Sequence, residues 1–453
     1  MHIRKKNNIF LGITCIYEKK AVLLQHKYDI VNLIVYIYFL LIRIAALFGH
    51  KKARKLVEGQ KATLTKVREE EWTKVQGAIW IHAASVGEFE QARPIIERIK
   101  EENERTKIVV TFFSPSGFEA RQNYELADGV YYLPFATRGN AKRFIKALQP
   151  KMAIFVKYEF WPAYIRELKK QNIPTYSICS IFRPNQYFFR WWGKSQLNVL
   201  KRFTHLFVQD EASRQLLASH GVQNVTVAGD TRFDRVAAVK AKGEQVNGEK
   251  LTPIAQFVEG AGRVVVAGST WEEDDRILAE CINRMAEEQD IKLILVPHEL
   301  NEKHLQYIFN LFQGQYVRYS AVSNRQLPAM SRRTILLHAR VLVMDVMGLL
   351  SSTYRFGHVA YIGGGFGEGI HNTIEAAVYG MPVVFGPNYH HFREAQGLID
   401  AGAGRSIKNA AELEKALNAA LESHLELGAR AAEYVESEKG ATAKIYGQIF
   451  RDL

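Results

Sequence analysis

Ala360-Tyr361-Ile362-Gly363-Gly364-Gly365-Phe366-Gly367-Glu368-Gly369-Ile370-His371-Asn372-Thr373-Ile374-Glu375-Ala376-Ala377 is the most telling stretch of the chain. A short apolar strand ends in a run of glycines, and a helical pattern resumes at Asn372. Asn372 followed three residues later by Glu375 reads as an Asn-type capping box. Bare backbone N–H groups beside a helix start suit one phosphate or sugar hydroxyls. Glu375 is then placed to bond ribose hydroxyls, instead of the backbone or besides it. Gly380-Met381-Pro382-Val383-Val384-Phe385-Gly386-Pro387 supplies the next turn and strand. Strand, glycine loop, helix, turn and strand in that order belong to a parallel α/β sheet.

Outward from this stretch the same alternation repeats. In the second half, strands are predicted at 263–267, 292–296, 341–344, 359–362 and 382–385. In the first half they are predicted at 78–82, 107–113, 152–156, 175–178 and 205–208, with helices such as 89–102 and 140–148 between them. The polar tract 236–254 reads as an interdomain linker. The expected fold is α/β: two facing Rossmann-like domains with an N-terminal membrane-associated helix. The expected boundaries are 1–60 for a membrane anchor, 61–240 for the first Rossmann-like domain and 241–453 for the second, with the last helix returning to the first. The site is expected between the domains, at the carboxyl ends of the strands. The halves also open alike. Trp80-Ile81-His82-Ala83-Ala84-Ser85 leads to one acidic helix start, and Val266-Ala267-Gly268-Ser269-Thr270 leads to another at Glu272-Glu273-Asp274-Asp275. Neither carries GxGxxG or GxxxxGK[ST], which argues against a dinucleotide enzyme and a P-loop ATPase.

Composition narrows the class further. The 453 residues are 47% hydrophobic and 24% charged, ordinary for a globular protein. The net charge of +13 is uneven: residues 1–70 hold 14 Lys and Arg against 5 Asp and Glu, the rest 46 against 42. A nucleic-acid binder carries its basic face on the folded body, so no nucleic-acid partner is expected. The charge flanks an apolar run, Ile30 to Phe48, broken only by Asn32 and Arg43. That pattern points to a membrane surface with anionic lipids, whether the segment spans or lies in the interface; a buried core helix is the bland alternative. Cys15, Cys179 and Cys281 are far apart and read as free thiols. There is no HExxH, no DxD-like pair at a strand end and no GxSxG elbow, so no metal or other cofactor is expected.

Two further constellations carry candidate chemistry. In His82-Ala83-Ala84-Ser85-Val86-Gly87-Glu88, Glu88 stands at a helix start. It is either an ionised base that accepts a proton or only a first-turn acid beside a capping Ser85. In Lys157-Tyr158-Glu159-Phe160-Trp161-Pro162, Glu159 follows a buried strand. It either faces the site or makes a structural ion pair.

Together these blocks resemble the 3-deoxy-D-manno-oct-2-ulosonic acid (Kdo) transferases of lipid A assembly. The resemblance runs from about residue 30 to the end. It includes HAASVGE at 82–88, the Glu-Phe-Trp-Pro block at 159–162, Arg-Phe-Asp at 232–234, Ala-Gly-Ser-Thr at 267–270, the turn at 345–348, and GGG…HNTIEAA with GMPVVFGP. It implies a GT-B glycosyltransferase fold, with acceptor binding in 61–240 and CMP-sugar binding in 241–453, and inverting, metal-independent transfer of Kdo from CMP-Kdo to a lipid A precursor (lipid IVA), with release of CMP, at the cytoplasmic face of a Gram-negative-type inner membrane. Glu88 then matches the general base, and Glu159 and Arg232 match transition-state support. Pro297, His298, Met347, Gly348, Leu349, Asn372, Thr373, Ile374 and Glu375 match the CMP-binding segments. Four positions depart from the family pattern: Lys157 stands where an acid is frequent, Arg232 where lysine is, His298 directly follows Pro297 where an arginine is usual, and Leu349 stands where an acid commonly follows Met-Gly. Another GT-B enzyme using a UDP- or GDP-sugar on a lipid or glycan is the alternative.

Overall fold

The computed structural model describes residues 36–67, 70–191, 193–243, 248–324 and 328–451. Cys15 and the first part of the expected membrane segment, up to residue 35, lie outside them. The chain forms two compact units: one extends to Arg232 and resumes at Gly440, and the other is Phe233–Lys439.

The first unit is built on a parallel sheet of β1 (Ile79–Ala83), β2 (Ile108–Phe112), β3 (Gly129–Tyr132), β4 (Met152–Val156), β5 (Thr175–Ser180), β6 (His205–Val208) and β7 (Val225–Val227), in the order β3-β2-β1-β4-β5-β6-β7. Side chains alternate across a strand. Ile79, Ile81 and Ala83 of β1 therefore join one core layer with Phe89, Ile95 and Ile99, while Trp80 joins Phe144, Phe155 and Tyr164 in the other. The central strands β1, β2 and β4 are buried at every position, as a sheet covered on both faces requires. Helix Ala441–Ile449 belongs here too. It packs on helix Val86–Glu102, with Ile445 and Ile449 entering the layer that contains Phe89.

The second unit repeats the plan with β8 (Val264–Thr270), β9 (Lys292–Pro297), β10 (Tyr316–Arg318), β11 (Val341–Val343), β12 (Val359–Ile362), β13 (Val383–Phe385) and β14 (Gly404–Ser406), in the order β10-β11-β9-β8-β12-β13-β14. The direction of strand succession reverses between β1 and β4 in one sheet and between β8 and β12 in the other. Such switch points open a crevice at the carboxyl ends of the strands.

The tract at 236–254 is not a linker. Its described residues lie in helices Thr231–Gly243 and Gly248–Val258, and Phe233, Val236, Leu251, Ile254 and Phe257 are buried in the second unit's core. The polar faces of the two helices hid an apolar stripe of helical spacing. Near the N-terminus residues 36–47 are helical and expose Ile37, Leu40 and Leu41, with Leu47 and Phe48 86% and 88% exposed. Among the described residues no helix is long and apolar enough to cross a membrane.

Candidate active site

Glu88 is the third residue of helix Val86–Glu102, which starts directly after β1 and the Ala84-Ser85 turn. A carboxylate at this position turns back onto the N–H groups that no helical carbonyl reaches. Its Oε2 accepts from Ala84 N at 2.6 Å and Ser85 N at 3.1 Å. Among the described residues Oε1 takes no hydrogen bond and is left for another donor. Burial and the neighbouring Glu159 carboxylate push the pKa of Glu88 above the ordinary glutamate value, against the pull of His82, Lys157 and the Ala84 N–H. The result is a carboxylate more basic than one in water.

Glu159 leaves the end of β4, across the switch point from β1. Lys157 turns the chain through a left-handed conformation (φ +54°), rare for a residue with a side chain. Its carbonyl accepts from Ser180 Oγ at 2.7 Å, which anchors the turn. Glu159 Oε2 accepts from Trp161 Nε1 at 2.6 Å and faces His82 Nε2 at 3.1 Å. Tyr187 lies close enough that burial and the Glu159 charge raise its pKa to about 12.

Arg232 is held by a buried carboxylate. Asp230 Oδ2 accepts from its Nε at 2.9 Å and its Nη2 at 2.7 Å, and Oδ1 accepts from its backbone N at 3.0 Å. Gln91, three residues after Glu88 on the same helix, donates to both oxygens of Asp230 at 3.0 Å, and Gln209 adds a bond of 3.2 Å. Burial works to raise the Asp230 pKa, but the Arg232 guanidinium and these donors outweigh it and hold it below the usual carboxylate range.

In the second unit the glycine loop follows β12. Gly364 has φ +90°, and a Cβ on Gly365 would lie 2.6 Å from the Gly386 Cα, so neither position accepts a side chain. His298 follows β9 and its N donates to Thr270 O at 2.9 Å. Its ring stacks against both Trp271 (4.6 Å) and His371 (4.4 Å), whose near-parallel rings are joined by a hydrogen bond from Trp271 Nε1 to His371 Nε2 at 3.1 Å. Burial and the nearby His298 lower the His371 pKa to about 4. Past β11, Gly348 takes φ +87°, Met347 is 77% exposed and Leu349 is buried.

Residues 51–235 match the family model described as 3-deoxy-D-manno-octulosonic-acid transferase (kdotransferase). Curated transferases of the same description are similar along most of their length. That of Rickettsia prowazekii is 25% identical over 391 residues, covering 83% of this chain and 80% of its own. That of Aquifex aeolicus is 26% identical over 345 residues, covering 75% and 84%. The chain is thus similar to Kdo transferases, in the family model over residues 51–235 and in these relatives along most of its length. The fold has wider relatives. The crystal structure of UDP-GlcNAc 2-epimerase from Neisseria meningitidis bound to UDP-GlcNAc superposes with a TM-score of 0.60 at 15% identity, covering 83% of this chain and all of the other. The two-sheet α/β architecture is thus of the GT-B type.

Within this chain, Glu88 and Glu159 meet at one switch point. Pro297, His298 and the glycine loop meet at the other. The capping read at Asn372 takes another form. The helix there is a single turn, Ile374–Ala377, with Thr373 as its N-cap. Asn372 Oδ1 accepts from Ile374 N at 3.3 Å, and the Asn372 Nδ2 and Ser351 Oγ donate to the two oxygens of Glu375, at 2.9 and 2.6 Å. Sequence reasoning missed Asp230, Gln91, Trp271, His371 and Ser351 as site neighbours. Their signal is a partner far along the chain, except for Asp230, which precedes Arg232 by two residues. His82 was quoted in its motif but given no role.

Proposed function

We propose that this protein is a Kdo transferase that moves Kdo from CMP-Kdo to a glucosamine hydroxyl of a lipid A precursor such as lipid IVA, with inversion, without a metal, at the cytoplasmic face of an inner membrane. Glu88 takes the hydroxyl proton. The freed oxygen bonds the anomeric carbon of Kdo as the bond from that carbon to the phosphate oxygen breaks, and CMP leaves with the electron pair. Glu159 and Arg232 support charge redistribution at the reacting centre. Pro297, His298, Met347, Gly348, Leu349 and the 372–375 segment bind CMP, with Leu349 contributing backbone. The apolar face of helix 36–47 and the lysines that follow it meet an anionic bilayer in which the acceptor stays.

One observation carries the reading: Glu88 spends one oxygen on the turn, keeps the other free, and is made more basic by burial beside Glu159. This is what a general base acting on a sugar hydroxyl needs. The test is incubation with CMP-Kdo and a tetraacylated lipid A precursor. The expected outcome is a lipid heavier by Kdo and stoichiometric CMP. Turnover only with a UDP- or GDP-sugar overturns it.

A further inference from the structure

We propose that His82 is a positioning residue for Glu159: its imidazole presents Nε2–H to the carboxylate, and the Thr111 hydroxyl holds the ring in that tautomer. The proposal rests on the role given to Glu159 above.

His82 is fully buried, on the face of β1 that otherwise carries Trp80. Parallel pairing sets Thr111 of β2 on one side of it and Phe155 of β4 on the other. A neutral imidazole has one donor nitrogen and one acceptor, and a buried one satisfies both. Nε2 faces Glu159 Oε2 at 3.1 Å. Nδ1 has two oxygens of one residue in reach, Thr111 Oγ1 at 2.9 Å and Thr111 O at 3.0 Å. Glu159 decides the tautomer of the neutral ring: a carboxylate only accepts, so the ring hydrogen sits on Nε2 and Nδ1 is left as the acceptor. Of the two oxygens near Nδ1 only the Thr111 hydroxyl can donate to it, and that hydroxyl keeps lone pairs for the Trp80 indole N–H, which bonds Thr111 Oγ1 at 2.8 Å. The same carboxylate oxygen takes the Trp161 N–H, so two rigid rings fix its orientation.

Without that hydroxyl, Nδ1 faces only a carbonyl and must donate to it. A neutral ring then turns a lone pair on Nε2 toward a carboxylate, and only the imidazolium keeps the bond. The charged and titratable groups around the ring are Glu159, Glu88 and, beside Glu88, Lys157, with Tyr187 facing Glu159. None of them supplies a substitute hydrogen to Nδ1.

The experiment compares Thr111→Val with Thr111→Ser in the full chain. In Thr111→Val kcat falls about tenfold with little change in KM. Thr111→Ser keeps the wild-type rate. The Trp80 N–H orphaned in Thr111→Val lowers stability, which thermal melts read separately, and does not move the ring hydrogen. Long-range 15N spectra of the histidine rings read the tautomer without turnover: Nε2–H in the wild type and Thr111→Ser, Nδ1–H or the cation in Thr111→Val. If Thr111→Val does not fold, His82→Gln, whose amide reaches the Nε2 position, keeps the rate within about threefold, while His82→Leu loses tenfold or more in kcat with little change in KM. A wild-type neutral ring protonated on Nδ1, an unaltered rate in folded Thr111→Val, or equal losses in His82→Gln and His82→Leu overturns the proposal. Absence of Kdo transfer by the wild type would instead sink the functional reading, and the spectra would still decide the tautomer.

Discussion

Glu88 and Asp274 occupy the same place in two copies of one plan. Each is the third residue of the helix that follows the first strand of its sheet. Their bonding differs. Glu88 gives one oxygen to its own turn and keeps the other. Asp274 spends both: Oδ1 takes Tyr361 Oη at 2.7 Å, and Oδ2 takes Trp271 N at 3.0 Å and Gly364 N at 2.8 Å. At 1% exposure it pins the glycine loop to β8 and its helix. Glutamate has the extra methylene that reaches back to the turn and leaves an oxygen over, whereas the shorter aspartate is consumed by the loop it braces. The repeated unit thus leaves an acid with one oxygen to spare in one sheet and a fully engaged acid in the other.

The largest test of that contrast is Glu88→Gln. It removes the proton acceptor and keeps the shape, so kcat drops ~10²-fold or more while far-UV circular dichroism and donor affinity stay unchanged. A near-normal rate would break the comparison. Asp274→Ala should do the reverse. Three donors lose their acceptor at a buried site, each costing about 1–3 kcal/mol, so the urea midpoint of the second unit falls sharply; Glu88→Ala, which loses a cap, costs about 1 kcal/mol. Equal destabilisation by the two would erase the distinction.

A smaller effect concerns pH. A base with a raised pKa is lost to protonation at higher pH than an ordinary glutamate, so the acid limb of kcat/KM lies above ~4.3. Glu159→Gln removes the like charge and moves that limb to lower pH, a shift visible in the residual activity. Smallest is the response of His371. Its pKa is about 4 in the folded chain, so the unfolded chain takes up the proton first, near ~6.5. Stability of the second unit is therefore full above ~6.5 and declines as pH falls toward 4. His371→Phe flattens that decline in thermal melts at pH 7.5 and 5.

How much of this was legible follows from burial. The central strands showed as apolar runs because both faces of each sheet are covered. The four strands that the sequence did not betray are β3, β7, β10 and β14, and all four are sheet edges. They are three or four residues long and partly exposed, so neither an apolar run nor alternation marks them. Glu88 was visible because its partners lie within four residues. The grip of Asp230 on Arg232 was half visible, since Gln91 and Gln209 reach it from distant strands and helices. The stack of Trp271, His298 and His371 was not visible at all: it joins ends of β8, β9 and β12, which only the folded sheet makes neighbours.

Helix Ala441–Ile449 carries a consequence for biosynthesis. Ribosomes release the polypeptide from its N-terminus, so the whole of Phe233–Lys439 emerges before the helix that completes the first unit. Until then the nascent helix bearing Glu88 lacks the cover of Ile445 and Ile449 beside Phe89. Sealing of the layer behind Glu88 is thus coupled to completion of translation, and a chain cut short before residue 441 presents chaperones with an oily groove where helix Val86–Glu102 should be covered.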